Sequence, residues 1–403
     1  MKNSFTALFG AAALAFAPCP AASNAAEQTF AFEYEIKDKQ VTVTGCTGST
    51  DIISIPSEIE GFPVVSVADN AFSGNTDIIS CILPDSITNV GTKAFSNCPL
   101  LCSLSIGKGL SEIGDYAFTA CPVLKSINVS LENPTYRIYE KSLYDNEDTL
   151  ILFTDSGLIS SIAPDTKSIG KGAFFGRTDI TSIIIPDTVT SIGDYAFSGC
   201  VSLSEIAIPD HVKFLGKGCF ISCNSLENVK LGKSLTAIPE DCFHSCSKLK
   251  TISISDNITS VGDDAFYSCT ALKRLYIPPS VTSIGKDAFG RKYDVRSSAT
   301  ENIADFLING KAGSQAEKYA SEYGLSFSEF FLIKGDINND GYIDAIDASK
   351  VLKEYALTSS GQSSSFTPEQ KAAADWNSDG LIDAVDSSGI LVKYASLSSV
   401  RTT

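Results

Sequence analysis

The chain has 403 residues, room for two to four domains at about 100–200 residues each. Hydrophobic residues make up 43% and charged residues 19%, which excludes a disordered chain and allows a sizeable core. Lys and Arg total 31 against 47 Asp and Glu, a formal charge of -16 with no basic face, which excludes a nucleic-acid binder. Two His, one Trp and one Met leave little material for acid–base or metal-hydrolase chemistry. The composition points to a binding protein rather than an enzyme.

The first element reads as a secretory signal over residues 1–26. Lys2 gives a positive start, residues 5–17 are apolar, and Ser23-Asn24-Ala25 or Asn24-Ala25-Ala26 offers a small-residue cleavage site. That apolar run is too short to span a bilayer, and no later segment approaches the roughly 20 residues needed. Cys19 is flanked by Pro18 and Pro20, where a lipidation site wants small, flexible residues, so ordinary cleavage is expected. The mature chain is therefore expected to be secreted and extracellular, with no membrane span.

Beyond residue 68 one period dominates. Phe recurs at 72, 95, 118, 174, 197, 220, 243, 266 and 289, always in steps of 23 except for one step of 56, which is 23 plus 33. A Gly stands four residues before most of them, and Pro239 replaces it once. Cys98, Cys121, Cys200, Cys223, Cys246 and Cys269 keep the same register. Such regularity marks Cys as a small buried hydrophobe of a structural repeat, and disulfide pairing between neighbouring turns is the less favoured reading.

Each unit has a physical reading. In the segment 203–209, Ile206 and Ile208 alternate with Glu205 and Ala207, the period-2 signature of a half-buried strand. Val212 to Gly216 turns the chain, and Cys219-Phe220 opens a short helical or 3₁₀ piece. One unit cannot bury its apolar face, so copies must stack into a solenoid of nine rungs roughly 40 Å long.

The pattern L-x-x-I-x-I-P-x-x-V-x-x-I-G-x-x-A-F-x-x-C, nearly intact at residues 180–200 and 249–269, resembles the leucine-rich repeats of BspA-like bacterial surface antigens. The resemblance implies a cap hairpin and first turn at 27–68, a solenoid at 69–292 and a C-terminal cap at 293–333. The 33 extra residues, placed at about 130–160, read as a hairpin insert around the polar turn 145–149. The strand face is where such proteins bind, and its charged end carries Glu205, Asn228, Lys230, Arg274 and Tyr276. Its ligand, a protein or a carbohydrate, is not named by the sequence, and an ordinary solvated surface is an equal reading.

From Lys334 the period stops and a two-fold repeat of offset 39 begins. Asp336, Asn338, Asp340, Tyr342, Asp344 and Asp347 match Asp375, Asn377, Asp379, Leu381, Asp383 and Asp386. Both sets have the EF-hand spacing, with oxygen donors at positions 1, 3, 5, 9 and 12, a backbone carbonyl at 7 and Gly at 6. Hard oxygens crowded this way suit Ca²⁺, one ion per loop and two in all, although Asp stands at position 12 where Glu is usual. Helices are expected to follow each loop over 348–355 and 387–395, and Thr367-Pro368 starts another.

Loop, helix, linker, helix, loop, helix is similar to type I dockerins, and the repeated D-A-[I/V]-D-[A/S]-S carries that resemblance across residues 334–403. It implies a small all-α paired-loop module that docks on a cohesin domain of a scaffoldin. By that analogy Ala345, Ile346 and Lys353 in one copy, and Ala384, Val385 and Lys393 in the other, would meet the cohesin. The competing reading packs Ile346 and Val385 inside the module.

His211 and His244 lie 33 apart, off the repeat, with no companion nucleophile motif. No dedicated catalytic stretch remains. The expected function is a secreted, non-catalytic cellulosome component. A cell-surface adhesin is the alternative, and a polysaccharide- or peptide-hydrolysing enzyme a lesser one.

Overall fold

The structure, a computed structural model, describes residues 3–6, 30–155, 160–329, 334–338, 343–366 and 368–399. Most of the expected signal segment lies outside these residues. Asn3–Thr6 forms a strand that pairs antiparallel with Ala31–Lys37.

Ala31–Lys37 and Gln40–Thr47 form the first hairpin. Its two turn residues, Asp38 and Lys39, both take positive φ (51° and 63°), as a two-residue turn matched to the strand twist requires. Gln40–Thr47 then pairs in parallel with Phe62–Val67, and the chain enters the solenoid.

Each regular turn carries two short strands, and like strands of successive turns pair in parallel. Ser80, Ser103 and Ser126 are direct partners, as are Glu205, Asn228 and Thr251, so the register advances by one sequence repeat per turn. The second ribbon follows suit, with Ser168 against Ser191 and Ser191 against Phe214. About 12 turns result.

The buried Phe column fills the interior. Neighbouring rings stack at 4.9 Å for Phe72–Phe95, 5.2 Å for Phe197–Phe220 and 5.4 Å for Phe220–Phe243, close to the strand spacing of the turns themselves. The cysteines in register with this column sit beside it as free, buried thiols. Each donates from Sγ to the carbonyl of a Phe in the turn before, as Cys223 does to Phe197 at 3.1 Å. Burial pushes the Cys219 and Cys269 thiols up, so they pack as neutral groups.

The segment after each Phe is not a regular helix. Ile221 N–H donates to the Gly218 carbonyl and Cys223 N–H to the Phe220 carbonyl, a run of tight turns. Phe220 N–H meanwhile donates to the Cys242 carbonyl of the next turn at 2.8 Å. The backbone is shared between local turns and the neighbouring rung, so no helix develops.

The extra residues form a three-stranded meander. Tyr136–Tyr139 pairs antiparallel with Ser142–Asp145, which pairs antiparallel with Thr149–Leu152. The last strand then pairs in parallel with Ser168–Ile169 and restarts the solenoid. The interior divides here into two cores, one ending at Leu152 and the other beginning at Tyr144. Phe153 restarts the aromatic column by stacking on Phe174 at 4.4 Å.

The far end is closed by Leu307–Gly310, the helix Gln315–Tyr323 and Ser326–Glu329. Buried Tyr319 packs at 4.4 Å, tilted by 47°, on Phe289, the last ring of the column, and its hydroxyl donates to the Phe289 carbonyl. The exposed core edge of an open solenoid is thereby covered.

The terminal module has helices Ala345–Ser359, Pro368–Ala374 and Ala384–Ser399 around Ile337, Ala348, Val351, Ala373, Ala374 and Ile390. Both long helices start at loop position 10, earlier than the apolar spacing suggests. Thr367 lies outside the described residues.

Candidate functional site

The two acidic loops use their carboxylates alike. Asp347 accepts from Ile337 N–H and Asn338 N–H through one oxygen and from Asp344 N–H through the other, at 2.8–3.0 Å. Asp386 accepts from Asn377 N–H at 3.2 Å and Asp383 N–H at 2.9 Å, the matching bonds of the second copy. Asp344 and Asp383 accept from Ile346 and Val385 N–H, both at 2.7 Å, and so cap the two helices. The position-12 Asp thus ties loop to helix in both copies. Asp336 and Asp347 are buried.

In the second loop Asp375 accepts from Asp379 and Gly380 N–H, and Asn377 and Asp379 are joined at 2.8 Å. Gly380, at the sharp turn, has φ of 83°, where a Cβ would strain. Asp340 and Tyr342 of the first loop lie outside the described residues. Among the described residues no group of three or more His, Cys, Asp or Glu converges as a ready cage. The donors are nonetheless all oxygen, in a short loop whose turn is already formed, and this set fits a hard cation such as Ca²⁺.

Trp376 has a place that periodicity does not reveal. A Cβ on Gly335 would stand 2.7 Å from its ring, and one on Gly389 2.1 Å. The two glycines make a slot for the indole between the start of the first loop and the last helix, Ala384–Ser399.

The residues expected to meet a cohesin lie on the surface. Ile346 is 56% exposed and Val385 59%, so neither packs inside the module. Ala345, Ala384 and Lys353 are exposed, and Lys393 is half-buried. Lys353 and Lys393 are not equivalent, because the offset pairs Lys353 with Val392, itself 71% exposed. Leu352 and Tyr355, with their counterparts Leu391 and Tyr394, are further exposed apolar groups of the two helices. The offset relates them too, once the helices are known to be exposed on that side.

On the solenoid, Glu205, Asn228, Lys230 and Arg274 are exposed and Tyr276 is half-buried; the first three lie on a ribbon of paired strands with Thr251–Ile252, and the last two on Arg274–Tyr276, which pairs with Leu307–Gly310. Ser103, in the same row, is buried and donates to Ser80 Oγ at 2.7 Å, so that part of the row is not open. A cleft of about 710 Å³ lies over this ribbon, walled by Ile184, Glu205, Lys230 and Ser253 on one side and by Asn338 and Ile346 of the terminal module on the other. His244 is paired with Asp241 at 3.0 Å and packs on Tyr267, with no nucleophile in the arrangement.

A parallel solenoid presenting an open strand ribbon, joined to a small helical module with twinned acidic loops, defines a modular binding protein. The chain belongs to the BspA type leucine rich repeat family, whose model matches residues 45–161 and 167–296 in six copies. Residues 334–393 match the dockerin type I domain. Both are non-catalytic modules, and no helix among the described residues is long and apolar enough to cross a membrane.

Among solved structures the chain is similar to a leucine-rich repeat protein from Eubacterium ventriosum, at 18% identity, TM-score 0.43, with 64% of this chain and 82% of that one covered. It is similar also to a leucine rich cell surface protein from Faecalibacterium prausnitzii, at 19% identity and TM-score 0.35, covering 70% and 97%. The pneumococcal vaccine antigen PcpA aligns at 14% identity and TM-score 0.42, covering 75% and 97%. A search of curated proteins finds no match.

Proposed function

We propose that the protein is a secreted, non-catalytic cellulosome component. Its terminal module, residues 334–403, docks on a cohesin domain of a scaffoldin and folds on two Ca²⁺. Its solenoid offers the strand face bearing Glu205, Asn228, Lys230, Arg274 and Tyr276 to a protein or carbohydrate. The observation that carries this reading is the twinning of the terminal module: the same loop bonds and the same exposed apolar residue, Ile346 or Val385, recur in both copies.

When bound, Ca²⁺ would supply positive charge to loops crowded with carboxylates. In the second loop Asp375, Asn377, Asp379, Asp383, Asp386 and the Leu381 carbonyl would hold it. In the first, Asp336, Asn338, Asp344 and Asp347 would hold it, together with Asp340 and the Tyr342 carbonyl. The chain's own residues do the recognition, since interface centres favour apolar groups over charges.

The test is calorimetry of the whole chain against a panel of type I cohesin domains, in Ca²⁺ and then in chelator. Binding is expected to at least one cohesin in Ca²⁺ and to vanish in chelator. Failure to bind any member in Ca²⁺ would remove the docking role and leave a surface adhesin as the better reading.

A further inference from the structure

The two docking copies resemble each other in sequence but not in surroundings. Ile346, with Asn338, forms one wall of the 710 Å³ cleft, and the solenoid ribbon around Ile184 and Lys230 forms the other. A space of that volume suits a small ligand, for which sites of about 300–1,000 Å³ are usual. A folded domain must cover about 800 Å² on each partner, and it cannot do so inside such a cleft.

Val385 is not among the walls of this cleft. Two turns on along the same helix face stands Val392, and both are exposed, with Leu381, 63% exposed, in the loop before them. In the first copy the corresponding place after Ile346 is held by Lys353. Lys is depleted from interface centres, so composition and surroundings both favour the second copy.

We infer that, in the whole chain, a cohesin-type partner docks through the second copy, on Leu381, Val385 and Val392, while the solenoid closes the first copy to folded partners. This rests on the docking reading above. The first copy stays open to small molecules.

Two measurements on the full chain in Ca²⁺ test this separately. The Ile346→Cys and Val385→Cys variants are labelled with N-ethylmaleimide and with a polymer-linked maleimide, the unsubstituted chain giving the background of its own thiols, of which Cys46 is half-buried. The small reagent should label both within about twofold, whereas the polymer should label Val385→Cys at least about tenfold faster. Equal polymer labelling would overturn the closure of the first copy, whether or not any cohesin binds. In the cohesin titration, Val385→Asp should weaken binding at least about tenfold and Ile346→Asp should leave it within about twofold. If each single variant still binds and only the pair together fails, docking stands but the preference for the second copy is wrong. If the double variant binds fully, these residues are not the docking faces and the docking surface proposed above falls as well.

Discussion

Arg177 stands where the repeat places a cysteine, and its Nη1 donates to the Phe153 carbonyl at 2.7 Å. In regular turns a thiol makes this bond across 26 residues, and here the guanidinium makes it across 24, at the place where the insert rejoins the solenoid. The longer side chain also donates to the Asp155 carbonyl and, through two nitrogens, to Asp179, and it lies over the Phe153 ring. A thiol has one weak donor and could not satisfy the irregular backbone of the insert.

Arg177→Ala should therefore destabilise the solenoid by about 2–3 kcal/mol, the scale of hydrogen bonds to a charged group left without its donor. The Asp179 carboxyl, held below the usual carboxylate range by Arg177, would lose that partner. Urea titration checks this, and a loss under about 0.5 kcal/mol, typical of a surface change, would show that the insert needs no such anchor.

Phe220→Ala, in the middle of the column, should cost about 3–5 kcal/mol, as deletion of a buried aromatic does. Its ring is stacked on both sides, at 5.2 Å on Phe197 and 5.4 Å on Phe243. A loss under about 1 kcal/mol in denaturant would be incompatible with a packed column.

The column, the strand rows and the twinned loops are legible because each copy repeats one physical need at one spacing. Phe153 escapes that reading: it precedes Phe174 by less than a full repeat, so the regular spacing never reaches it. The repeat glycines are visible, but their reason is not. Gly216 reads as a turn, whereas the structure gives close approach, since a Cβ there would stand 2.2 Å from the Asp194 nitrogen. The slot of Gly335 and Gly389 around Trp376 joins distant segments without periodicity, and only the fold reveals it. The proposed docking face is half legible: the offset finds Ile346 and Val385, yet it pairs Lys353 with Val392 and not with Lys393.

A pH effect follows from the edge of the solenoid. Half-buried Asp264 lies in the left-handed region (φ 52°), as do Asp241 and Asp287, its counterparts in the turns before and after. Burial raises its pKa, and the carboxylates of Asp241, Asp287 and Asp263 add to this, with His244 opposing them. A carboxyl whose pKa is raised by folding costs stability when ionised, and that cost fades as pH falls through its raised pKa. Asp264→Asn keeps a residue that tolerates the left-handed region. It should raise the denaturation midpoint at pH 7, and the gain should disappear below about pH 4, where Asp is protonated in both states. An unchanged midpoint at pH 7 would mean that the three carboxylates do not strain the edge.

The single Trp of the chain should report calcium. Trp376 follows the first donor of the second loop, and its indole packs in the slot of Gly335 and Gly389, so its surroundings depend on both loop and helix. Without metal, Asp375, Asp379, Asp383 and Asp386 repel one another within one short loop, and backbone N–H groups offset this only in part. Ca²⁺ would neutralise that repulsion, and its binding energy would add to folding where the cage is not ready-made. Trp emission of the whole chain should therefore shift to the blue as Ca²⁺ is added and revert with chelator. Mg²⁺ at equal concentration should do much less, because it holds its waters tightly. Asp375→Ala should remove the response, while Asp336→Ala, in the other loop, should leave part of it. Emission and circular dichroism that ignore both calcium and chelator would mean that these loops are acidic turns, and the calcium-dependent docking role would fall with them.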